Sequence, residues 1–268
     1  MPITYTTVDI DNDCVGNRWE IENENELAHL VGIVMKGEFA HAESILAGID
    51  IAPMVYTPDL EDPIKQGVID SLTVELDEHG KEKRETPKWH RDGLLFEIIS
   101  WIVARMANSP DVLIRDPHIA ATTQGLDGLI IELNAAKDQV IQTVVFEDKC
   151  MENARDAFRY QTLPAFKAHH ANGRQLIASA TTLLRQAVPA ALITTVAISA
   201  IKIDVRKYRS ALPILAGEDN QVGRARIFSR YGTLSNIERA GRIGCTFVPE
   251  GDMREWFEQF ASKVIKSL

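Results

Sequence analysis

The sequence predicts an α/β protein with a mixed central sheet flanked by helices, and three observations carry that expectation. Residues 89–107 place Leu94, Leu95, Ile98, Ile99, Ile102, Val103 and Met106 at helical spacing. Two apolar, β-branched runs, 125–133 (GLDGLIIEL) and 140–149 (VIQTVVFEDK), are separated only by the polar segment 134–139, which predicts an antiparallel hairpin. Helical patterns follow over 151–171 and 174–186, and a late apolar run, 241–249 (GRIGCTFVP), reads as a further strand. Helices before and after a set of strands need a sheet to pack on.

The remaining elements follow in chain order. Leu27, Leu30, Val31, Val34 and Met35 recur at spacings of three, four and seven, which predicts one or two amphipathic helices over 25–48 with Gly48 as the stop. Residues 51–63 hold three prolines and read as a loop, followed by a short element over 64–76. Residues 77–87 (DEHGKEKRETP) have no apolar period and read as a linker. It divides an acidic, partly helical N-terminal region, 1–87, from a core of 88–268. Asn108-Ser109-Pro110 stops the long helix, and Val112–Ile114 is a short strand. The Ala/Ile/Thr-rich run 187–203 fits helix or strand, and 254–268 reads as a closing amphipathic helix.

Composition narrows the class. The chain has 268 residues, 45% hydrophobic and 25% charged, which excludes a disordered, collagen-like or coiled-coil chain. The longest weakly polar run, 187–201, is interrupted by Thr194, Thr195 and Ser199 and is too short and polar to cross a bilayer, so no membrane partner is expected. The first residues carry no basic segment before an apolar run, so a cytoplasmic location is expected. Cys14, Cys150 and Cys245 have no metal-site spacing and read as free thiols of a reducing compartment.

Charge is unevenly spread. Residues 1–90 hold 19 Asp and Glu against seven Lys and Arg, a net of −12; the rest of the chain holds 19 against 22, a net of +3. The acidic third reads as a solvated surface, a docking face for a basic partner, or a shield that mimics nucleic acid. Within 200–245 nine bases stand against four acids, with Tyr208, Phe228 and Tyr231 interleaved. That segment fits either a phosphate-tracking surface or a solvated face.

Chemistry concentrates on the hairpin. Strand side chains alternate, so Glu147 and Lys149 share one face and Asp148 takes the other. If the hairpin sets Asp127 beside Glu147, two carboxylates and an ammonium converge. Paired carboxylates suit a hard cation such as Mg²⁺ or Mn²⁺, and a lysine beside them can hold or help deprotonate a water. That is equipment for phosphodiester hydrolysis. An acid-x-Lys triplet alone is weak, since composition predicts roughly two by chance. Its position at the end of an apolar strand, after an Asp-bearing strand and a helix carrying Glu97, makes it specific.

A helix with Glu97, a strand, a strand with Asp127, a strand ending in Glu147-x-Lys149 and then a helix resemble the PD-(D/E)xK, restriction-endonuclease-like nuclease superfamily over about residues 89–171. The resemblance implies that Asp127 and Glu147 bind the divalent metal, Lys149 assists the nucleophilic water, and Glu97 is an accessory metal ligand. Leu126 stands where the family name has Pro. The acidic helical N-terminal region with GLDG and FEDK further resembles the HamA-type nuclease subunits of the Hachiman phage-defence system, which implies a helicase partner and an antiviral role. Gln161, one helix after Lys149, is an accessory residue by resemblance, although Ala165 replaces the Tyr of the family's Gln-x-x-x-Tyr pattern.

His169-His170 read as surface imidazoles. The chain has no P-loop, so it should not hydrolyse ATP. The reading is a metal-dependent nuclease (an endonuclease acting on DNA). The alternative is a non-catalytic nucleic-acid- or partner-binding subunit that keeps the fold.

Overall fold

Strand alternation and helix periodicity sort the apolar side chains onto the two faces of a seven-stranded mixed sheet. The structure, a computed structural model, describes residues 1–49, 52, 54–83, 87–120 and 125–268. The strands are β1 (Ile3–Asp9), β2 (Val15–Ile21), β3 (Leu113–Ile114), β4 (Gly128–Leu133), β5 (Val140–Phe146), β6 (Arg206–Pro213) and β7 (Arg242–Phe247), in sheet order β1-β2-β7-β6-β5-β4-β3. The run β2, β7, β6, β5 is parallel; β1 and β4 flank it antiparallel, and β3 pairs antiparallel with β4.

One face is covered by α1 (Glu24–Met35), α2 (Phe39–Leu46), α3 (Pro58–Leu72), α4 (Lys88–Ala107) and α10 (Met253–Lys266). They meet Ile130, Val144, Phe146 and Ala211 of the sheet. The other face takes α5 (Ala154–Ala157), α6 (Leu163–Ala171), α7 (Arg174–Leu184), α8 (Ile193–Ser199) and α9 (Gln221–Ile227) against Leu129, Ile131, Val145, Tyr208 and Leu212. Consecutive residues of β4 and β5 thus go to opposite cores, as the two-residue period requires. Each such fully buried Leu, Ile or Phe contributes roughly 1.5–3 kcal/mol.

The expected hairpin, long helix, late strand and closing helix are all present. The differences lie where apolar periodicity is weak. No element is predicted before residue 25, yet β1 and β2 form there. Their alternation is hard to see because β1 is an edge strand, Thr-rich, with only Ile3 fully buried. Since β2 pairs with β7 and α1 packs on α10, the charge boundary at residue 87 does not divide the sheet.

The proline-rich stretch expected to be a loop becomes helical at Pro58. Proline at the first helical position forfeits no intrahelical bond, so Pro58 starts α3 rather than excluding it. Residues 51 and 53 of that stretch, the preceding residue 50, and residues 84–86 of the expected linker lie outside the described residues. The preceding part of the linker folds back in a tight turn, with Leu76 bridged to Glu82 and Asp77 accepting from the His79 and Lys81 amides.

The basic segment is not a phosphate-tracking surface built on aromatics. Residues 206–213 form a central strand, and Tyr208, Phe228 and Tyr231 are fully buried in the second core. Arg206, Arg209 and Arg224 are buried too. Several of the bases are also paired: Arg224 with Asp219 at 2.7 Å, Arg226 with Glu218 at 2.6 Å, and Arg239 with Asp9 at 2.6 Å, the last joining the basic segment to the acidic region. Sequence charge therefore overstated the exposed basic surface.

Candidate active site

The hairpin ends beside α4, and its last residues carry the site. Glu147 and Lys149 prolong β5 as far as the amides are concerned: the Glu147 N–H donates to the Arg209 carbonyl at 3.1 Å and the Lys149 N–H to the Ala211 carbonyl at 3.1 Å. This anchoring keeps the alternation going past the strand end. Lys149 Nζ reaches Glu147 Oε1 at 2.7 Å and Asp127 Oδ2 at 3.0 Å. Asp127 is fixed in turn by the Asp148 N–H, which donates to Asp127 Oδ2 at 2.8 Å. The three residues expected to act together are therefore joined through one ammonium.

The Gly in Asp127-Gly128 has a packing cause. Gly128 faces Phe146 across the hairpin, and a Cβ there would run into the Phe146 ring. The opposite use of that ring is as a platform for Arg209, whose guanidinium carbon lies 3.4 Å from its centroid.

Asp148 points away from its neighbours, as expected. Its carboxylate takes Arg209 Nη2 at 2.8 Å, the Ala211 N–H at 2.9 Å and a short bond from the Ser100 hydroxyl of α4. Burial raises the Asp148 carboxyl even though Arg209 and Ser100 oppose the shift. This buried pair locks β5, β6 and α4 together under the site.

Glu97 lines the same cleft from α4 but is held by another residue. Glu97 Oε1 accepts from the His118 backbone N–H at 2.9 Å and lies 2.8 Å from His118 Nδ1. Arg115 Nη2 sits 3.2 Å from His118 Nε2. A guanidinium can only donate, so Nε2 accepts and Nδ1 carries the proton given to Glu97. Burial raises the Glu97 carboxyl, against the pull of His118. The sequence offered no signal for His118, which stands on the segment between β3 and β4 with no motif around it.

The cleft has a volume of about 640 Å³ and is lined by Glu97, His118, Asp127, Lys149, Gln161 and Trp89, among others. Glu147 does not line it. Its carboxylate is buried between Lys149 and His169, whose Nε2 is 4.0 Å from Glu147 Oε2. His169 is thus closer to the chemistry than a surface imidazole; burial lowers its pKa. His170 faces away to the Tyr208 hydroxyl at 3.3 Å.

Gln161 enters the cleft from a π-helical turn, Phe158–Thr162, set between α5 and α6. Pro164 has no N–H to give to residue 160, and the Leu163 N–H bonds instead to the Phe158 carbonyl, five residues back. Gln161 Nε2 lies 2.8 Å from Met151 Sδ.

Electrostatics explain the clasp. Burial and then the Asp127 charge push the Glu147 carboxyl up to about 7, against Lys149. Burial pulls the Lys149 ammonium down, but Asp127 and Glu147 outweigh it and hold it above its ordinary value. A carboxyl raised in the folded state favours folding below its unfolded pKa, and that contribution is lost as pH rises through the folded value. Without divalent metal, the wild-type melting temperature should therefore fall from pH 5 to pH 8 relative to Glu147→Gln. Parallel melting profiles for the two proteins would contradict the assignment.

Whether the residues suit a divalent cation is a matter of donors. Among the described residues no group of three or more His, Cys, Asp and Glu is gathered to hold a metal ion. The three expected ligands are split: Asp127 and Glu147 share Lys149, and Glu97 is bound to His118. Asp127 and Glu147 still fit a hard cation in kind, since two close carboxylates are offset by only one ammonium. The cysteines are all buried and free; Cys150 lines the cleft next to Lys149, whereas Cys14 and Cys245 lie elsewhere.

No protein-family model matches this chain, and searches of curated proteins and of solved structures return no significant match. Among the described residues no helix is long and apolar enough to cross a membrane. The functional reading therefore rests on this geometry.

Proposed function

We propose that the chain is a divalent-metal-dependent nuclease that hydrolyses phosphodiester bonds of DNA, of the PD-(D/E)xK, restriction-endonuclease-like type. The observation that carries this is the convergence of Asp127, Glu147 and Lys149 at one end of the β4–β5 hairpin, with Asp127 and Lys149 on the wall of a cleft and Glu147 directly behind Lys149. The surrounding order supports it: α4 with Glu97, then β3, β4, β5, the helical stretch α5–α6, and β6 parallel to β5. The finer likeness to HamA-type subunits extends the proposal to phage defence with a helicase partner.

Asp127 and Glu147 would hold the Mg²⁺ or Mn²⁺ ion, with Glu97 across the cleft as the accessory carboxylate. When bound, such an ion polarises a phosphoryl oxygen and lowers the pKa of a coordinated water. The chain's own work is then to hold the reacting groups. Lys149 is kept charged by its two carboxylates, and it orients a water while offsetting charge that develops on the phosphate. His118 fixes Glu97, and the Asp148 N–H fixes Asp127. Arg209, through Asp148, holds the strand ends at the spacing this requires.

One observation favours the second reading, a non-catalytic binding subunit. Lys149 clasps both carboxylates, and Glu147 stays behind it rather than lining the cleft. Incubating the protein with supercoiled and linear DNA separates the two. Cleavage with Mg²⁺ or Mn²⁺ that chelator abolishes supports the nuclease; no cleavage under any of these conditions leaves the binding subunit. Metal should also raise the melting temperature by mass action. At a hundredfold excess over Kd the gain is about 2.7 kcal/mol, or roughly 5–10 °C for a chain of this size. Asp127→Asn should lose most of it, and an equal shift in both proteins would count against the site.

A further inference from the structure

Beyond the groups that would act on a phosphodiester, α4 carries two residues in line with Glu97 for which neither the packing nor the proposed mechanism has a use. Trp89, Gly93 and Glu97 recur every four residues, so they lie on one face of the helix, and all three line the cleft. Glu97 marks the reacting end. Trp89 lies eight residues before it, about 12 Å along the helix axis.

Two independent features of this face point to a ligand. The first is Trp89. Trp19, Trp101 and Trp256 are buried, whereas Trp89 is 55% exposed at the lip of the cleft. Its ring meets the His90 ring edge-on at 6.0 Å and keeps much of its surface free at the mouth of the cleft, where an aromatic face can stack on a flat ligand. The second is Gly93. Glycine in a helix interior is destabilising relative to alanine, and is kept there when packing or function demands it. Packing does not demand it here: a Cβ built on Gly93 meets nothing within 4 Å. The space above Gly93 is open, and it lies between the indole and the acidic end of the cleft.

The wall around that space is mixed in character. Leu94 and Met151 are apolar, and Gln161 offers an amide. Arg254 of α10 also lines it, its charge met by Asp92 at 2.6 Å and Glu152 at 3.1 Å. A flat ligand with an apolar face and hydrogen-bonding edges fits this combination. A nucleobase has those properties.

We propose that Trp89 and the space over Gly93 form a nucleobase-stacking subsite. It holds an unpaired base of a nucleotide next to the one being cleaved, so the chain acts on single-stranded DNA or on a strand with an unstacked base. This rests on the nuclease reading for its substrate, but on Trp89 and Gly93 for its content. Bases inside a duplex are stacked on both faces and have none left for the indole; an unpaired base has one, and stacking on an aromatic ring tolerates any base identity. Trp89 sets the strandedness of the substrate and is a binding residue, not a catalytic one.

The test uses the full chain and a short fluorescent oligodeoxynucleotide, single-stranded or annealed, with Ca²⁺ replacing Mg²⁺ to slow cleavage during titration. Trp89→Ala should weaken single-strand binding by about tenfold or more, while duplex binding changes much less. Trp89→Phe should retain most of the affinity, because a face for stacking remains. Gly93→Leu should weaken single-strand binding by filling the space, and Gly93→Ala should raise the melting temperature, since its methyl group meets nothing. Single-strand affinity unchanged in both Trp89→Ala and Gly93→Leu overturns the proposal, and so does an equal loss on single strand and duplex. Cleavage in Mg²⁺ is scored separately. A wild type that binds single strands through Trp89 but cuts nothing sinks the nuclease reading and leaves the subsite. A wild type that cuts DNA while Trp89→Ala binds and cuts as before sinks the subsite alone.

Discussion

Lys149→Ala is expected to lower metal-dependent DNA cleavage by about 10²- to 10⁴-fold, the range for losing a group that positions or moves a proton or offsets developing charge. Its ammonium touches both Asp127 and Glu147, and among the described residues it is the only lysine or arginine paired with either. The variant should fold. Lys149 is not part of either hydrophobic core. The two carboxylates it leaves behind can share less charge, because burial and Asp127 already hold Glu147 near 7 and a proton can take the place of the ammonium. Melting at pH 6 should thus stay close to wild type, and the loss of stability should grow toward pH 8. Single-turnover cleavage separates this from weakened binding: the rate at saturating protein should fall while the half-saturating concentration changes little. Wild-type cleavage by Lys149→Ala would remove Lys149 from the site.

Asp148→Ala is expected to be the most destabilising single substitution near the site, at about 3–5 kcal/mol. It strands the Arg209 guanidinium, buried against Phe146 and Trp19, and removes the acceptor of the Ser100 hydroxyl and the Ala211 N–H. For a chain of this size that corresponds to a melting temperature lower by roughly 6–20 °C. Much of the cost comes from the unpaired charge, so the double variant Asp148→Ala/Arg209→Met should recover a substantial part of it. A double variant no more stable than the single one would show that the hydrogen bonds to Ser100 and Ala211, not the stranded charge, dominate. The two acidic neighbours thus separate by role: Glu147 variants should cost activity, and Asp148 variants should cost stability.

Much of this was legible in the sequence, and the reasons are physical. The β4–β5 hairpin and α4 stand out because each buries a full apolar face, which forces a clean period of two or of 3.6 on the residues. The two-residue alternation then placed Glu147 with Lys149 and Asp148 opposite, and the contacts follow it. Strand β1 was hidden because an edge strand needs few apolar residues; β6 was hidden because it carries Arg206, Lys207 and Arg209, which read as surface. Arg209 is buried only because Asp148, 61 residues earlier, neutralises it and Phe146 offers its ring, a pairing that no local pattern reveals. His118 and His169 were missed, or set aside, for the same reason: their partners, Glu97 and Glu147, are brought to them by the fold. Trp89 begins the helical pattern of residues 89–107, and only the cleft shows that its ring stays half exposed at the mouth.

The most direct test of the metal-dependent site is an anomalous diffraction map of the protein crystallised with Mn²⁺. The account predicts a manganese peak bound by the carboxylates of Asp127 and Glu147, with Lys149 released from at least one of them. Lys149 still clasping both carboxylates, with no manganese peak between Asp127 and Glu147 at saturating Mn²⁺, would contradict it.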